Sequence, residues 1–497
     1  MRRRLAYAAR GVTAAVFGIG IAEFLGAFLG ASSSPIGAVG RFAIDSAPAS
    51  VKEAAIRWFG TGDKLVLICG VTLVLLALLV TAGLLCLRSR TAGTVLIAVL
   101  GIAGALAAAF GTGAGPVDAL PSLLAAALGA GSLRVLTRTT GPQAAVESSG
   151  VQRRVALGAF TIGAAGLVGG RFLGDPGERA ATALPRAADP APPLPPGHRF
   201  ALPGLSPFRT ANADFYRVDT DLALPAIDPA DWTLRIHGAV GKPVALSYRD
   251  LLDRPLVERD MTLCCVSNEV GGPYVSTTRW LGVPLATLLR ETGIRAGADQ
   301  LLSTATDGMT IGTPTGLVLD GREAMLVVGM NGEPLPRKHG YPVRMIIPGL
   351  YGYASATKWL TELKLTSFAA DRAYWVRRGY VEQGTAKTAS RIDVPRPFAQ
   401  LRPVPVTVAG VAWALHRGIE AVQCRVDGGP WMRAELTTDA GPDLWRQWRW
   451  TWRAAPGSHR IEVRAVDGTG HMQTGGRAEV FPSGSTGWHS VLVTVSE

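Results

Sequence analysis

The chain has 497 residues, of which 48% are hydrophobic and 18% are charged, and its formal net charge is +12. This length allows two or three domains. The basic residues are dispersed and no zinc-finger or RNA-binding motif accompanies them, so the charge does not indicate a partner made of nucleic acid. The five cysteines show no regular spacing, which argues against a disulfide-rich scaffold.

Residues 1–174 contain the long uncharged runs of the chain. A run of about twenty apolar residues has enough helical rise to cross a bilayer, so this part predicts an α-helical transmembrane bundle of about five helices. The predicted spans are Gly11–Gly30, Leu65–Leu87, Ala92–Val117, Ala119–Leu133 and Val155–Gly170. The last two are shorter than the others. The first contains Glu23, an ionisable group that is costly inside a membrane and often functional.

Basic residues beside these spans predict the orientation of the bundle. They are Arg2, Arg3, Arg4, Arg10, Arg88, Arg90, Arg134, Arg138, Arg153 and Arg154, and all of them fall on one side. Because basic flanks are retained in the cytoplasm, five crossings place everything after residue 175 outside it. We therefore predict a multi-pass protein of the inner (cytoplasmic) membrane with an extracytoplasmic remainder. The Arg153-Arg154 pair also resembles a twin-arginine export signal.

The remainder of the chain divides into three parts by composition. Residues 175–199 are rich in Pro and Ala and predict a semi-extended linker. Residues 200–375 mix strands such as Trp232–His237 with helical pieces such as Leu281–Glu291, which predicts an α+β domain. Residues 390–497 alternate short strands with turns such as Asp427-Gly428-Gly429, which is typical of an immunoglobulin-like β-sandwich.

Two adjacent cysteines lie in the most unusual short segment, Thr262–Gly272. A cysteine at a strand end, among small polar residues and glycines, can be an exposed thiolate that binds a soft metal. It can equally be a buried small hydrophobic residue. The residues alone leave both interpretations of Cys264 and Cys265 open.

The run from Thr210 through Leu365 resembles the molybdopterin domain of the sulfite oxidase family. In that family the metal-binding cysteine precedes an Arg-Trp-x-Gly-Val-Pro-Leu element, which stands here at Arg279–Leu285. The resemblance implies an enzyme that transfers an oxygen atom at a molybdenum-molybdopterin cofactor, with the metal bound by one cysteine. It implies Cys265 as that ligand, because Val266-Ser267-Asn268 follow it in the family pattern, and it implies cofactor contacts at Ser267 and Asn268. Cys264 then points to the opposite side of the strand.

A second block, Met330–Arg344, continues through Gly349 and Gly352 to Lys358 and matches the longest signature of the family. The resemblance implies that His339, Arg344, Gly349 and Lys358 bind the cofactor. A pterin phosphate suits such residues, since a planar guanidinium holds a phosphate through two parallel bonds and a glycine lets the backbone approach closely. Without the resemblance, this turn-rich basic stretch is equally well explained as a solvated loop.

A third segment, Thr210–Asp219, resembles the part of the family that leads to an arginine near the metal. The resemblance implies cofactor contacts at Phe215, Tyr216 and Arg217, and a catalytic role for Arg217, whose charge attracts an anion. Two departures affect the substrate. Met309 stands where sulfite-oxidising members have a tyrosine, and Glu269 stands where they have basic residues, so the substrate is expected to be a small anion or an S-oxide.

Three functions follow from these observations. The first is a sulfite-oxidase-like oxidoreductase, and the second is a methionine-sulfoxide-type S-oxide reductase fed by a quinol-linked partner. The third is a non-catalytic membrane adhesion or assembly module.

All seven histidines lie after residue 197, so we expect no haem in this chain and a separate electron carrier, either a cytochrome or a quinone-linked membrane protein. The C-terminal sandwich resembles the dimerisation domain of the family, which implies a homodimer.

Overall fold

The computed structural model describes residues 1–29, 33–47, 51, 63–110, 115–137, 148–173, 183–219 and 224–496. The predicted basic flank at Arg138 and the first part of the predicted linker, residues 175–182, lie outside these ranges. The contacts divide the chain into two units. A helical unit comprises Met1–Ala181 with the short segments Asp219–Ala226 and Asp307–Met309, and a β-rich unit comprises the rest.

The helical unit contains helices where the apolar runs predict them. Its helices are α1 (Arg2–Leu29), α2 (Pro35–Ser46), α3 (Asp63–Leu85), α4 (Arg90–Phe110), α5 (Leu120–Thr137) and α6 (Ser148–Leu173). Four described stretches are long and apolar enough to cross a membrane: Arg3–Leu29, Val66–Leu85, Arg90–Phe110 and Pro116–Thr137. The apolar stretch described in α6, Arg154–Leu167, is shorter. Within the described residues, each of the five predicted runs is therefore mainly helical, and α2 is an additional helix that the sequence analysis missed.

Helix α1 packs closely against three other helices through glycine. A Cβ added at Gly11 or Gly18 would overlap the carbonyl oxygen of Leu79 in α3 or of Ala125 in α5. A Cβ added at Gly20 would overlap the carbonyl oxygen of Gly163 in α6. Small residues at such crossings let helix backbones approach closely, which is how helices associate when lipid surrounds them. The sequence of α1 thus specifies a packed bundle around it.

The acidic residue of the first apolar run has a structural partner. Oε1 of Glu23 accepts hydrogen bonds from Oγ of Ser34, at 3.0 Å, and from the backbone N–H of Ile36, at 2.9 Å. Ser34 is the N-cap of α2 and its Oγ accepts from Gly37 N. A carboxylate beside free N–H groups at a helix N-terminus is favoured by the helix dipole. Glu23 therefore holds the start of α2.

The first part of the β-rich unit is an α+β domain with two sheets. Its strands are β1 (Thr233–Gly238), β2 (Val244–Ser247), β3 (Val257–Cys264), β4 (Val275–Pro284), β5 (Gln300–Ala305), β6 (Thr310–Pro314), β7 (Met325–Met330), β8 (Glu333–Pro334), β9 (Arg344–Ile346) and β10 (Leu360–Thr366). Its helices are α7 (Tyr248–Leu252), α8 (Leu285–Glu291), α9 (Thr315–Leu319) and α10 (Gly352–Ser355). One sheet has the order β2-β1-β10-β5-β6, and the other has β3-β4-β7-β8 with β9 also paired to β7. The helix predicted from Leu281 begins at Leu285 instead, because the preceding residues pair with β7 as the end of β4.

Strand β7 is buried along its whole length. Leu326 and Val328 belong to one hydrophobic core, while Met325, Val327 and Met330 belong to another on the opposite face. A continuous apolar run is what such a doubly covered strand requires. Because β4 and β9 both pair with β7, residues on these strands are held on a rigid support.

The C-terminal part of the unit is a sandwich of two sheets that share one core. Its strands are β11 (Ala389–Val394), β12 (Gln400–Leu401), β13 (Pro405–Trp413), β14 (Ile419–Val426), β15 (Met432–Arg433), β16 (Glu435–Leu436), β17 (Arg446–Arg453), β18 (Gly457–Asp467) and β19 (His489–Val495). The sheets have the orders β11-β13-β17-β16 and β12-β19-β18-β14-β15. Val422, Trp448 and Val463 lie together in the shared core. The predicted turn after β14 is present, since β14 pairs with β15; the immunoglobulin-like topology stays a prediction.

The described part of the predicted linker, from residue 183 onward, is extended but is not a free tether. The N–H of Ala188 donates to Leu256 O at 2.8 Å, and Asp189 forms an ion pair with Arg259 at 2.6 Å. The N–H of Phe200 donates to the side chain of Gln447 at 2.8 Å. An extended backbone offers unpaired donors and acceptors, and here strand neighbours satisfy them. The segment thus docks on the β-rich unit.

Replacing Gly163 with Leu is expected to destabilise the helical unit by about 1–3 kcal/mol or more, because the added side chain overlaps the α1 backbone. Gly158→Leu is the matched control in the same helix, since nothing in the described chain lies within 4 Å of a Cβ there. The melting temperature of both variants in detergent measures the difference. Equal melting temperatures would contradict the packing of α1 on α6.

Candidate functional site

Cys265 opens a tight loop that connects β3 to β4. Its N–H donates to Tyr274 O at 2.9 Å, and the N–H of Asn268 donates to Cys265 O at 3.1 Å. The side-chain oxygen of Asn268 accepts from Tyr274 N at 2.8 Å. The hydrogen bonds of the predicted site residue Asn268 therefore close this loop, and its side chain is buried there.

The two adjacent cysteines lie in different surroundings. Cys264 packs with Tyr351 and Trp413 in a core that includes residues of the sandwich. The Sγ atom of Cys265 accepts from the N–H of Ser267 at 3.4 Å. Burial raises the pKa of both thiols, but the Ser267 donors and the positive charge of Lys358 oppose this rise at Cys265. Ser267 and Lys358 thus partly offset the burial of the Cys265 thiol, whose pKa still lies above its usual value.

Arg344, the first residue of β9, is a buried cation. Its guanidinium lies 5.4 Å from the ring centre of Trp280, and Nη1 donates to His339 O at 3.3 Å. Within the described ranges, no carboxylate pairs with it and its Nε has no hydrogen-bond partner. Burial lowers the pKa of Arg344 to about 10, which leaves it charged at neutral pH. A buried charge without a counter-ion is costly, so this position calls for an anion.

His339 is buried beside Arg344 as a neutral ring. Its Nε2 lies 2.9 Å from Asn212 O and therefore carries the proton that it donates to this carbonyl. Burial lowers the pKa of His339 to about 3, and the positive charges of Arg344 and the neighbouring lysines add to this effect. The ring packs against Phe215, with 5.4 Å between ring centres. The predicted residue is thus a neutral hydrogen-bonding group.

A glycine between Lys358 and Arg344 lets the first atoms of their side chains lie close to each other. Gly340 has φ +114°, and a Cβ there would lie 3.0 Å from Lys358 and 3.2 Å from Arg344. Lys358 Nζ donates to Val218 O at 3.3 Å and lies 4.7 Å from the Trp359 ring centre. The sequence analysis missed Gly340, whose only signal was its position in the turn-rich block beside His339.

The predicted aromatic pair of the third segment divides between core and site. Phe215 is a core residue that contacts the rings of Trp280 and His339. Tyr216 is half-buried and stacks on Phe215 at 5.2 Å between ring centres. Burial raises the pKa of Tyr216 well above its usual value, and the nearby Cys265 adds to this effect. Tyr216 is therefore a neutral donor beside the thiol, and Arg217 follows it as a half-buried residue.

Gly349 and Gly352 are predicted to lie close to a cofactor. For Gly349, packing within the protein itself explains why the residue is a glycine. It has φ +90°, and a Cβ there would lie 2.7 Å from Nη1 of Arg322 and 3.0 Å from His416. Gly352 has more open surroundings, where the nearest atoms are 3.9 Å away and include the hydroxyl of Tyr216. Gly352 therefore borders the Tyr216 side of the site, while protein packing accounts for Gly349.

Glu269 and Met309, the two departures from the family pattern, lie in different loops between β-strands. Glu269 is exposed and lines a small pocket with Cys264, Trp413 and Ser485. Cys265 does not line this pocket. Met309 lies in the turn between β5 and β6, where its N–H donates to the Asp307 carboxylate at 3.0 Å. Glu269 thus shares a pocket with Cys264 and not with Cys265.

The site combines one thiol with buried positive charge. Cys265 is a soft ligand suited to molybdenum, and Arg344 with Lys358 is suited to a phosphate. The buried guanidinium with its unsatisfied Nε is the observation that fits an anionic cofactor.

Replacing His339 with Gln is expected to make folding of the cofactor-free protein less sensitive to acid. In the wild type the unfolded chain binds a proton near pH 6.5, whereas folded His339 resists it until about pH 3, so stability falls as the pH drops between these values. From pH 7 to pH 5 the loss amounts to about 2 kcal/mol. Urea unfolding followed by tryptophan fluorescence measures it, since every tryptophan except Trp58 lies in the β-rich unit.

His459 provides a control of opposite sign. Hydrogen bonding to the Asp427 carboxylate raises the pKa of His459, so protonation stabilises the folded state there. His459→Gln should therefore make the protein more sensitive to acid. If both variants shift the acid sensitivity in the same direction, the buried neutral state assigned to His339 is wrong.

Comparison with known proteins identifies a known domain in this part of the chain. Residues 221–375 match the family described as oxidoreductase molybdopterin binding domain. The sulfite oxidase of Gallus gallus is 29% identical over 334 residues, which cover 57% of this chain and 72% of that protein. The mitochondrial sulfite oxidase of Mus musculus is 30% identical over 343 residues, which cover 58% of this chain and 61% of that protein. The chain therefore spans between about six and seven tenths of the length of these relatives.

A solved structure shows the same fold. The crystal structure of the sulfane dehydrogenase SoxCD from Paracoccus pantotrophus matches with a TM-score of 0.52 and 24% identity, and the match covers 58% of this chain and 82% of that one. The matched domain implies a molybdenum cofactor. The matching domain, the relatives and the shared fold agree, so residues 221–375 form a molybdopterin-binding oxidoreductase domain similar to that of the sulfite oxidases.

Proposed function

We propose that this enzyme is a membrane-anchored, extracytoplasmic oxidoreductase that transfers an oxygen atom in the manner of sulfite oxidase, with Cys265 as the one protein ligand of molybdenum. One observation carries the proposal. The buried Arg344 cation lacks a carboxylate partner within the described chain, and both it and the Cys265 thiol lie close enough to Tyr216 to affect its pKa. A thiol and an uncompensated buried cation are what an anionic, metal-bearing cofactor requires.

The other residues receive roles that follow from their charge states. Arg344 and Lys358 bind the phosphate of the pterin, and His339 provides a neutral polar contact. The cofactor, when bound, supplies the two-electron redox chemistry, while the protein supplies its placement and the local charge. Ser267 orients the Cys265 thiolate through its N–H, and Arg217 attracts and orients the anionic substrate.

The balanced reaction requires a second protein. Oxidation of a substrate such as sulfite takes one oxygen atom from water and releases two protons and two electrons. The electrons pass to a separate carrier, either a cytochrome or a quinone-linked membrane protein. A homodimer through the C-terminal sandwich belongs to the same proposal, and light scattering of the purified protein tests it.

The position of Glu269 bears on the direction of the reaction. An acidic residue at this position repels anions and so favours an uncharged S-oxide as substrate, but Glu269 lines the pocket beside Cys264. The positive charge of Lys358 acts on Cys265, and the buried charge of Arg344 acts on the neighbouring Tyr216, so both attract anions to this region. This arrangement favours oxidation of an anion over reduction of an S-oxide.

Purified wild-type protein is expected to contain one molybdenum and one pterin per chain and to oxidise sulfite with an artificial electron acceptor. Cys265→Ser should reduce turnover by at least about a hundredfold, because it removes the proposed metal ligand. Cys264→Ser is the matched control and should retain turnover. A wild-type protein without molybdenum, or a Cys265→Ser variant with full turnover, would refute the proposal. Faster turnover of methionine sulfoxide with an artificial donor would favour the S-oxide reductase.

The proposed location has its own test. Protease added to intact spheroplasts should cleave the β-rich unit, whereas in inverted membrane vesicles the same unit should be protected. The expectation follows from the basic residues retained beside the helices, such as Arg88 and Arg90. Cleavage in inverted vesicles alone would reverse the proposed orientation.

A further inference from the structure

The loop that carries Cys265 is held from outside its own domain. We call residues Cys265–Tyr274 the cysteine loop. Oγ of Ser485 donates to Asn268 O at 2.7 Å, and Nη1 of Arg391 donates to Gly272 O at 2.9 Å. Both donors belong to the C-terminal sandwich or to the segment that leads into its last strand. Two backbone carbonyls of the cysteine loop are therefore bound by another part of the β-rich unit.

The segment around Ser485 is itself fixed. Lys387 Nζ donates to Gly484 O at 2.5 Å and to Ser483 Oγ at 3.1 Å. The N–H of Gly484 donates to Val480 O at 2.6 Å. These bonds hold the two residues before Ser485, so its hydroxyl reaches Asn268 from a defined point.

Arg391 is fixed as well, because each of its three donor groups has a separate partner. Nε donates to the Asp393 carboxylate at 2.7 Å and Nη2 donates to Ser206 Oγ at 2.8 Å. The third group, Nη1, binds Gly272 O. The side chains of Arg391 and Asp393 are 12% and 8% exposed, so this ion pair is shielded from water and its geometry is not easily lost.

A third contact presses the cysteine loop against the sandwich. Gly271 has φ +83°, and a Cβ there would overlap the ring of His489. Nδ1 of that ring accepts from the N–H of Ile392 at 2.9 Å, which fixes the ring orientation. The loop therefore has a rigid surface on one side and two donors bound to its carbonyls.

We propose that Ser485 and Arg391 are positioning residues, which hold the cysteine loop and thereby place the Cys265 sulfur for the metal. The inference rests on the proposed function, since it presumes that Cys265 is the ligand. Asn268 connects Ser485 to Cys265. Its backbone oxygen accepts from Ser485, while its N–H donates to Cys265 O and its side chain accepts from Tyr274 N. Displacing Asn268 therefore displaces the backbone of Cys265. The sandwich thus contributes to the geometry of the site.

The test compares Ser485→Ala and Arg391→Gln in the full-length protein with two control variants. Ser390→Ala removes a hydroxyl that donates to Gln473 Oε1 at 2.7 Å inside the sandwich. Arg449→Gln removes an arginine that pairs with Glu435 at 2.7 Å, away from the cysteine loop. The controls make the same residue changes within the sandwich, and neither removes a hydrogen bond to the cysteine loop.

In the two test variants, kcat should fall about fivefold, as the loss of one hydrogen bond at the reacting geometry predicts, and KM should change less than about twofold. The electron paramagnetic resonance signal of the half-reduced metal should shift, because it reports the orientation of the sulfur ligand. Amide hydrogen exchange in the cysteine loop should accelerate, in the cofactor-free protein also. The controls should leave all three readouts unchanged.

Unchanged hydrogen exchange and an unchanged resonance signal in both test variants would overturn the positioning role, even if stability were lower. A wild-type protein without molybdenum would instead refute the proposed function, and hydrogen exchange would then decide the loop contacts alone. Similar changes in the control variants would show a general loss of structure and would also overturn the inference.

Discussion

The site depends on one electrostatic constraint, the burial of the Arg344 guanidinium without a carboxylate partner in the described chain. A buried cation costs several kcal/mol unless an anion compensates it. The pKa of about 10 shows that burial disfavours the charge but does not remove it at neutral pH. Strand β9 cannot easily move the group into water, because β9 pairs with the fully buried β7. The fold therefore keeps a positive charge in place, and binding of an anion removes an existing cost.

A second constraint comes from the geometry of a strand end. Successive side chains of an extended chain point to opposite sides, so Cys264 and Cys265 have different neighbours although they are adjacent. Cys264 packs toward the sandwich, with Trp413 and Tyr351. At Cys265, burial raises the pKa of the thiol, and Ser267 and Lys358 partly offset this rise. The domain contact and the chemical site are thus two sides of one short segment.

The sequence predicted what local patterns encode. Hydropathy predicted the helices of the helical unit, and strand alternation predicted the difference between the two cysteines. It did not predict the partner of Glu23, because Ser34 and Ile36 belong to a different helix and only the folded chain brings them to its carboxylate. Likewise, no local pattern shows that Asn212 fixes the tautomer of His339, since these residues are 127 positions apart.

Glycines illustrate the same limit at the site. The sequence does not distinguish Gly340, Gly349 and Gly352, yet the first two are glycines for different structural reasons and Gly352 has open surroundings. Gly340 lets Lys358 and Arg344 start close together, while Gly349 avoids a clash with Arg322. Only the three-dimensional neighbours distinguish a glycine that shapes a charge cluster from one that relieves packing.

The arrangement of charge around the cysteine loop also bears on the choice of substrate. A single acidic residue near a thiol in the sequence suggests repulsion of anions, but electrostatic effects depend on distance and on shielding by water. Glu269 is exposed, so water and salt weaken its field, whereas Arg344 is buried and its field is less screened. The two charges therefore do not cancel. Because the buried positive charge prevails, the substitution at Glu269 does not by itself argue against an anionic substrate.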